Sequence, residues 1–222
     1  SDPINIGSDS QLFIDDHIVS SVVNVRRQFH RPIRYEGNPI IQADMPWEQG
    51  GNGVYLYGGT VMFDEEEQIF KMWYRTASVE RDHQSDEATG AYKACYATSE
   101  DGVRWNRIPL GLVDYRGSKT NNMLPPAMGT REHIRRPNLI KDYMDKDPER
   151  RYKIAYMDNF EGRWGLAKGY SADGIHWTMN VGNPSFFDKP VAPNGILFGW
   201  DPNFQKFVHF HRLSKSVRVD VD

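Results

Sequence analysis

A seven-residue motif that occurs twice constrains the fold of this chain more than any other feature of its sequence. Residues 99–105, SEDGVRW, recur as residues 171–177, SADGIHW, and share the pattern Ser-x-Asp-Gly-[Val/Ile]-x-Trp. These residue types suit a β-hairpin, because Asp caps the turn, Gly adopts a positive φ, the β-branched residue restarts a strand and Trp packs into the core. The motif therefore predicts two equivalent hairpins, in which Asp101 and Asp173 have structural roles.

A longer repeat surrounds this motif. Residues 63–75 align without gaps on residues 200–212, with a shift of 137 residues, and an intermediate copy with a longer hairpin begins at residue 141. Each unit has the pattern of a strand, an acidic turn, an aromatic strand, a third strand, the Ser-x-Asp-Gly turn and a fourth strand. An acidic residue at the first turn recurs in all three copies, which assigns it to the hairpin. These residues are Asp64, Asp142 and Asp201.

The repeating unit predicts the architecture. Four antiparallel strands in each unit of roughly 60–80 residues are typical of a β-propeller blade. We therefore predict an all-β fold in which residues 1–222 form a single, partial propeller domain, with blades that begin near residues 58, 136 and 195. Because known propellers have about four to eight blades, we expect either a further segment of the chain or a second chain to complete the ring.

The charge and the cysteine content exclude several classes of function. The 27 Lys and Arg residues against 30 Asp and Glu residues give a net charge of -3, which provides no basic excess for binding nucleic acid or an anionic membrane. No apolar run approaches the roughly 20 residues of a membrane helix. Cys95 is the only cysteine, so an internal disulfide is impossible and we expect a small, buried thiol rather than a nucleophile.

Several segments resemble the five-bladed propeller glycosidases, the superfamily of invertases, levansucrases, arabinanases and mannoside phosphorylases. The resemblance spans about residues 30 to 212 and depends on Asn38-Pro39-Ile40, Trp47-Glu48, the FKMWY run at 70–74 and the repeated motif. That motif is also similar to the Asp-box of sialidases, but it is one residue shorter between Asp and Trp. The resemblance implies a carbohydrate substrate in an axial funnel, no cofactor, and a periplasmic or secreted location.

The resemblance also implies three carboxylates at the starts of the innermost strands. One protonates the leaving oxygen, a second attacks the sugar or activates water, and a third orients the pair. Gly58, Arg136 and Gly195 occupy the equivalent positions here, so that Arg135-Arg136-Pro137 stands where invertases have Arg-Asp-Pro. Either the acids come from neighbouring loops, or the funnel binds a glycan without cleaving it.

Residues in the loops before the predicted inner strands are the candidates for the site. The candidate catalytic acids are Glu48, Asp44, Glu132 and Asp188. The candidate sugar-binding residues include an indole face and two guanidinium groups, which suit a uronate or a sulfated sugar. They are Trp47, His133, Arg135, Arg136 and Asn194. We expect Trp47 to stack on a sugar and Glu48 to face the funnel; the alternatives are a core Trp beside a surface Glu, and a surface salt-bridge cluster at residues 132–136.

Two classes of function follow from these residues. The leading hypothesis is a glycoside hydrolase that cleaves glycosidic bonds in a polysaccharide or oligosaccharide, with acidic sugars among the candidates. The alternative is a non-catalytic glycan-binding propeller, and a protein-interaction propeller, which needs an apolar exposed rim, is a third hypothesis. His209 and His211 share one face of a strand, but no third ligand is identifiable, so we expect no metal.

Overall fold

The chain divides into two compact units, Ser1–Asn38 and Pro39–Asp222, which are described separately. The structure is a computed structural model and describes residues 5, 7, 12, 15–77, 92–125, 137–160, 163–185, 195–201 and 204–211. The described residues of the first unit form turns and extended chain, and Asp15 caps one turn by accepting a hydrogen bond from the His17 amide at 3.0 Å. The expectation of one domain over residues 1–222 stays a prediction.

The second unit consists of β-strands, with one short 3-10 helix at Pro148–Arg150 among its described residues. No helix in the described ranges is long and apolar enough to cross a membrane. The strands are β1 (Gly50–Asp64), β2 (Ile69–Ala77), β3 (Tyr92–Ser99), β4 (Leu139–Lys141), β5 (Tyr152–Phe160), β6 (Arg163–Ser171), β7 (Thr178–Met179), β8 (Gly195–Asp201) and β9 (Lys206–His211).

The strands form three antiparallel sheets in chain order. Sheet 1 has the order β1-β2-β3, sheet 2 has the order β4-β5-β6-β7, and sheet 3 pairs β8 with β9. The place of a fourth strand in sheet 1 is taken by residues 122–124, which exchange backbone hydrogen bonds with β3; the Tyr96 amide, for example, donates to the Asn122 carbonyl at 3.0 Å. Strands β4 and β8 start within three residues of the blade starts predicted at residues 136 and 195, and β1 contains the start predicted at residue 58. The prediction of an all-β, antiparallel fold is confirmed.

Both Ser-x-Asp-Gly motifs form the same turn. In each copy the glycine amide donates to the serine Oγ at 2.9 Å, and the next amide donates to the aspartate Oδ1 at 2.8 Å. Gly102 and Gly174 have φ angles of 72° and 75°, a conformation that glycine adopts at the lowest cost. Each Trp indole donates to the glycine carbonyl of its own turn at 3.1 Å. The structural assignment of Asp101 and Asp173 is therefore confirmed.

The hairpin after the first strand of each sheet also repeats. Asp64, Asp142 and Asp201 each accept a hydrogen bond from a backbone amide two or three residues later, at 3.2, 3.1 and 3.2 Å. An aspartate in this position supplies the turn with a hydrogen-bond acceptor that the backbone lacks. The assignment of these three acids to hairpins is confirmed.

Sheets 1 and 2 pack face to face around a shared aromatic core. Trp73 on β2 is fully buried against Tyr152 on β5, with ring centroids 5.9 Å apart. The Trp73 indole also donates to the Gly174 carbonyl at 2.7 Å, so a strand of sheet 1 is bonded to the Ser-x-Asp-Gly turn of sheet 2. The buried members of this core are Trp73, Ala94, Tyr96, Leu124, Leu139, Tyr152, Ile154, Tyr156, Ala167 and Trp177.

The two motif glycines provide a matched test of this packing. A Cβ at Gly174 would lie 2.7 Å from Cζ2 of Trp73, whereas a Cβ at Gly102 would lie at an ordinary 3.6 Å from Phe70. We expect Gly102→Ala to cost about 1–2 kcal/mol for its positive φ alone. Gly174→Ala should cost about 1–3 kcal/mol more, because the methyl group overfills the core between the sheets. Urea unfolding of both variants measures the difference, and equal losses would contradict this packing.

Cys95 lies on β3 and its side chain is fully buried. Burial raises the pKa of the thiol well above its usual range, because a thiolate there would lose its hydration. The prediction of a small, buried thiol is confirmed. We expect a thiol reagent to modify native protein at least about 100-fold more slowly than unfolded protein, since only the thiolate reacts. Absorbance of the released chromophore, with and without denaturant, measures both rates; equal rates would show that Cys95 is accessible.

Candidate functional site

Three of the predicted site residues lie together on the second face of sheet 1. Successive side chains of a strand point to opposite faces, so Met72 and Tyr74 lie on the face opposite Trp73 and sheet 2. Two loop segments, residues 41–48 and 105–123, cover this second face. Asp44, Trp47 and Glu48 belong to the first of these segments. The buried residues of this face are Met72, Tyr74, Cys95, Ala97 and Met123.

Glu48 is the most enclosed residue of this group, with an exposed fraction of 0%. Its Oε1 accepts hydrogen bonds from the Tyr74 hydroxyl at 2.6 Å and from Nε of Arg107 at 2.9 Å, and its Oε2 accepts one from the Met45 amide at 3.4 Å. Burial raises the pKa of Glu48, because the charged form loses its hydration, and the bonds from Tyr74 and Arg107 offset only part of that effect. Both oxygens of Glu48 are thus bonded within the protein, and its predicted contact with a sugar stays a prediction.

Arg107 connects Glu48 to the surface. Its Nη2 lies 3.1 Å from Oδ1 of Asp44 and also donates to the Gln42 carbonyl. The Arg107 side chain is 11% exposed, whereas the Asp44 side chain is 62% exposed. The planar guanidinium fork allows one side chain to hold both carboxylates. Arg107 therefore links the buried carboxylate of Glu48 to the exposed carboxylate of Asp44.

Trp47 is half-buried and fixed by neighbouring side chains. Its Nε1 donates to Oδ1 of Asn122 at 2.8 Å, and its ring meets Tyr115 edge to face, with centroids 6.3 Å apart. Asn122 in turn donates to the Tyr74 hydroxyl at 2.7 Å, so the network that contains Trp47 also contains Glu48. These contacts fit the alternative of a core Trp more closely than a freely presented stacking surface.

A second network of charged residues joins sheets 1 and 2. Asp64 is fully buried and accepts hydrogen bonds from Lys71 at 2.8 Å, from Lys141 at 2.8 Å and from the Tyr152 hydroxyl at 2.9 Å. These bonds outweigh the effect of burial and hold the pKa of Asp64 well below its usual range. Sequence reasoning found the role of Asp64 in the hairpin but missed this network. The sequence contains a signal for this network, because an aspartate at the first hairpin and a lysine on the next strand recur in the second unit. The recurring residues, Asp142 and Lys153, lie 2.9 Å apart.

The first strands of sheets 1 and 2 line a shared groove. Thr60 Oγ donates to the Pro137 carbonyl at 3.0 Å and accepts a hydrogen bond from the Leu139 amide at 3.0 Å, which fastens β4 beside β1. The groove has a volume of about 450 Å³ and lies along residues 59–63, 138–141 and 143. None of the described residues that line it is acidic.

The remaining predicted site residues lie outside the described residues, and their roles stay predictions. They are Glu132, His133, Arg135, Arg136, Asp188 and Asn194. Among the described residues, no group of three or more His, Cys, Asp or Glu side chains could hold a metal ion. Arg107, Tyr74 and Asn122 complete the described part of the site. Sequence reasoning missed them, because their partners lie 26 to 75 residues away along the chain.

No protein-family model matches the chain, and no curated protein matches it either.

Proposed function

We propose that the three sheets are consecutive blades of a β-propeller. The proposal is supported by the shared order of strands and turns, and by the face-to-face core of sheets 1 and 2. Sheet 3 continues the series, because β8 contacts β4 and β5, and Lys153 Nζ of sheet 2 lies 5.5 Å from the Phe207 ring centroid of sheet 3. Stacking of successive four-stranded sheets about one axis is the defining feature of propellers.

The proposed activity is cleavage of glycosidic bonds in a polysaccharide or oligosaccharide. The observation that carries this proposal is the groove between β1 and β4, the first strands of two adjacent sheets, which is where the resemblance to propeller glycosidases places the substrate. In the sequence Glu132 precedes Pro137 by five residues. Asp188 precedes Gly195, the start of β8, by seven residues.

The chemistry requires two carboxyl groups across the scissile bond. A separation of about 5–5.5 Å gives a retaining reaction and about 6.5–9.5 Å gives an inverting one. Such a pair would come from Asp44, Glu132 and Asp188. Arg135 and Arg136 would bind an acidic sugar through their guanidinium forks.

Glycan binding without cleavage is the second candidate, and two observations favour it. Glu48, one of the four candidate acids, has no exposed surface, and the described lining of the groove contains no carboxylate. A propeller that binds a glycan needs complementary polar groups and aromatic faces, but no acid pair.

Sugar release, measured by a reducing-end assay, tests the proposed function. The chain is assayed on neutral, uronic and sulfated polysaccharides. We expect release from an acidic polysaccharide, and a loss of about 100-fold or more in Glu132→Gln or Asp188→Asn, because one of them supplies the acid or the second carboxylate. Glu100→Gln, at an exposed turn position, is the matched control and should retain full activity. Retention of a glycan without release would select the binding alternative.

A further inference from the structure

We propose that Arg107 is a positioning residue, which is anchored by the buried Glu48 and holds the exposed Asp44 towards the substrate. Of the two acids that the sequence places in this loop, Asp44 would then contact the sugar, and Glu48 would act only through Arg107. The inference depends on the proposed function and deepens it, because it divides the roles between two of the candidate acids.

Accessibility separates the two carboxylates. Glu48 has no exposed surface, and both its oxygens accept hydrogen bonds from protein groups. A general acid or base must reach the proton that it transfers, directly or through one water molecule. The Asp44 side chain is 62% exposed, and one of its oxygens lies 3.1 Å from the guanidinium of Arg107. Only Asp44 therefore combines access to solvent with a fixed partner.

The loop lies at the end of sheet 1 where β1 starts. The Thr76 hydroxyl donates to the Trp47 carbonyl at 3.1 Å, and Thr76 pairs with Val54 near the start of β1. The chemistry of the proposed reaction needs its carboxylates at one common place beside the substrate. The position of residue 47 therefore keeps the Asp44 loop near the start of β1, whereas the groove lies along residues 59–63 of the same strand, so the inference requires a saccharide that extends along β1.

The anchor of Arg107 continues into the sheet. Arg107 Nε bonds to Glu48, Glu48 bonds to the Tyr74 hydroxyl, and the same hydroxyl accepts a hydrogen bond from Asn122 at 2.7 Å. Tyr74 and Asn122 are both fully buried. A guanidinium with a rigid fork and a buried anchor loses little further freedom when it binds a second carboxylate. The pair with Asp44 thus fixes an orientation, although exposed ion pairs contribute little to stability.

The same segment offers a matched pair without an anchor. Arg104 lies 3.4 Å from Asp101 and its side chain is 92% exposed. It belongs to a turn that repeats in sheet 2, and no buried acid holds it among the described contacts. A substitution at Arg104 therefore controls for the loss of a surface arginine near the same loop.

The experiment is a double-mutant cycle in the full chain. It compares wild type, Arg107→Lys, Asp44→Asn, the double variant and Arg104→Lys on the polysaccharide that wild type cleaves. Lysine keeps the charge but offers no fork, so it cannot hold both carboxylates in the native geometry. The values of kcat, KM and the midpoint of urea unfolding are measured for each protein.

We expect Asp44→Asn to lower kcat about 100-fold or more and Arg107→Lys to lower it about tenfold, with KM almost unchanged. The double variant should be no slower than Asp44→Asn alone, because Arg107 acts through Asp44, and Arg104→Lys should match wild type. If the losses in kcat multiply in the double variant, or follow the losses in the midpoint of unfolding, the positioning role is overturned. Release of sugar by wild type would still support the proposed function.

Glycan binding separates the remaining outcomes. If wild type retains a glycan without releasing sugar, the cycle is measured in dissociation constants. The same non-additivity would then support the positioning role and overturn hydrolysis, and additive effects would overturn both. A protein that neither cleaves nor retains any glycan of the panel overturns the proposed function together with this inference.

Discussion

Asp64→Asn should lower the free energy of unfolding by about 3 to 5 kcal/mol, which is the largest effect that we expect from a single substitution in this protein. The Asp64 carboxylate is fully buried and accepts hydrogen bonds from Lys71, Lys141 and Tyr152. Each lysine side chain is only 5% exposed. The amide would keep the shape of the side chain but would remove the buried counter-charge that the two ammonium groups share. Among the described residues, each lysine would keep only one partly exposed acid, Glu67 at 2.5 Å from Lys71 and Glu66 at 2.9 Å from Lys141.

The equivalent residue in the next hairpin is the control. Asp142 lies 2.9 Å from Lys153, but these two side chains are 16% and 19% exposed, so water can replace part of the lost interaction. Asp142→Asn should therefore cost at most about 1 kcal/mol, as is usual for accessible ion pairs. Urea unfolding at pH 7 measures both variants. A loss in Asp64→Asn no larger than that in Asp142→Asn would show that the bonds around Asp64 do not hold sheets 1 and 2 together.

Arg107→Met should lower the free energy of unfolding at pH 7 by about 3 kcal/mol or more. Methionine fills similar space but removes the charge that faces Glu48, which has no exposed surface. The remaining Tyr74 and Met45 bonds do not neutralise the carboxylate. Arg104→Met, which removes an arginine with an exposed side chain, should change the stability by less than about 0.5 kcal/mol.

The loss in Arg107→Met should depend on pH. Burial already raises the pKa of Glu48 above its ordinary value of 4.5, and removal of Arg107 raises that pKa further. A carboxyl whose pKa is raised by folding favours the folded state at low pH, and this contribution is lost as the pH rises through the pKa of the folded state. The cost of Arg107→Met should thus be small below about pH 4.5 and grow towards neutral pH.

A second substitution identifies the origin of that cost. Glu48→Gln in the Arg107→Met background removes the unpaired charge, so it should restore most of the stability at pH 7 and abolish the dependence on pH. Unfolding free energies at pH 4, 5, 6 and 7 provide the comparison. A cost that is equal at every pH would mean that Arg107 contributes by packing and not through the charge of Glu48.

The sequence predicts the strands and turns of this fold because their causes are local. A seven-residue motif contains its own cap, its own glycine and its own Trp partner, so two copies predict two identical turns and the structure contains both. Likewise Asp64, Asp142 and Asp201 bond to amides two or three residues away. Spacing along the chain is sufficient information for contacts of this kind.

The partners of the site residues depend on packing between distant segments. Glu48 bonds to Arg107, which lies 59 residues later, and Asp64 bonds to Lys141, which lies 77 residues later. A sequence that shows Trp47-Glu48 before a strand does not reveal whether the carboxylate points outwards or into the loop cover of sheet 1. Repetition supplies part of this information, since an Asp at the first hairpin and a Lys on the second strand recur in two successive units.

The bond between Trp73 and Gly174 has a consequence for synthesis of the chain. The indole belongs to the second strand to be made, whereas its acceptor follows 101 residues later. At a translation rate of about 5–20 residues per second, the ribosome needs roughly 5–20 seconds to make the intervening chain. During that interval the nascent first sheet displays a large aromatic surface without its cover. The cover begins to form with Leu139 and Tyr152 and is complete only with the second motif, so vectorial folding leaves the newborn sheet partly open to aggregation until that motif is made.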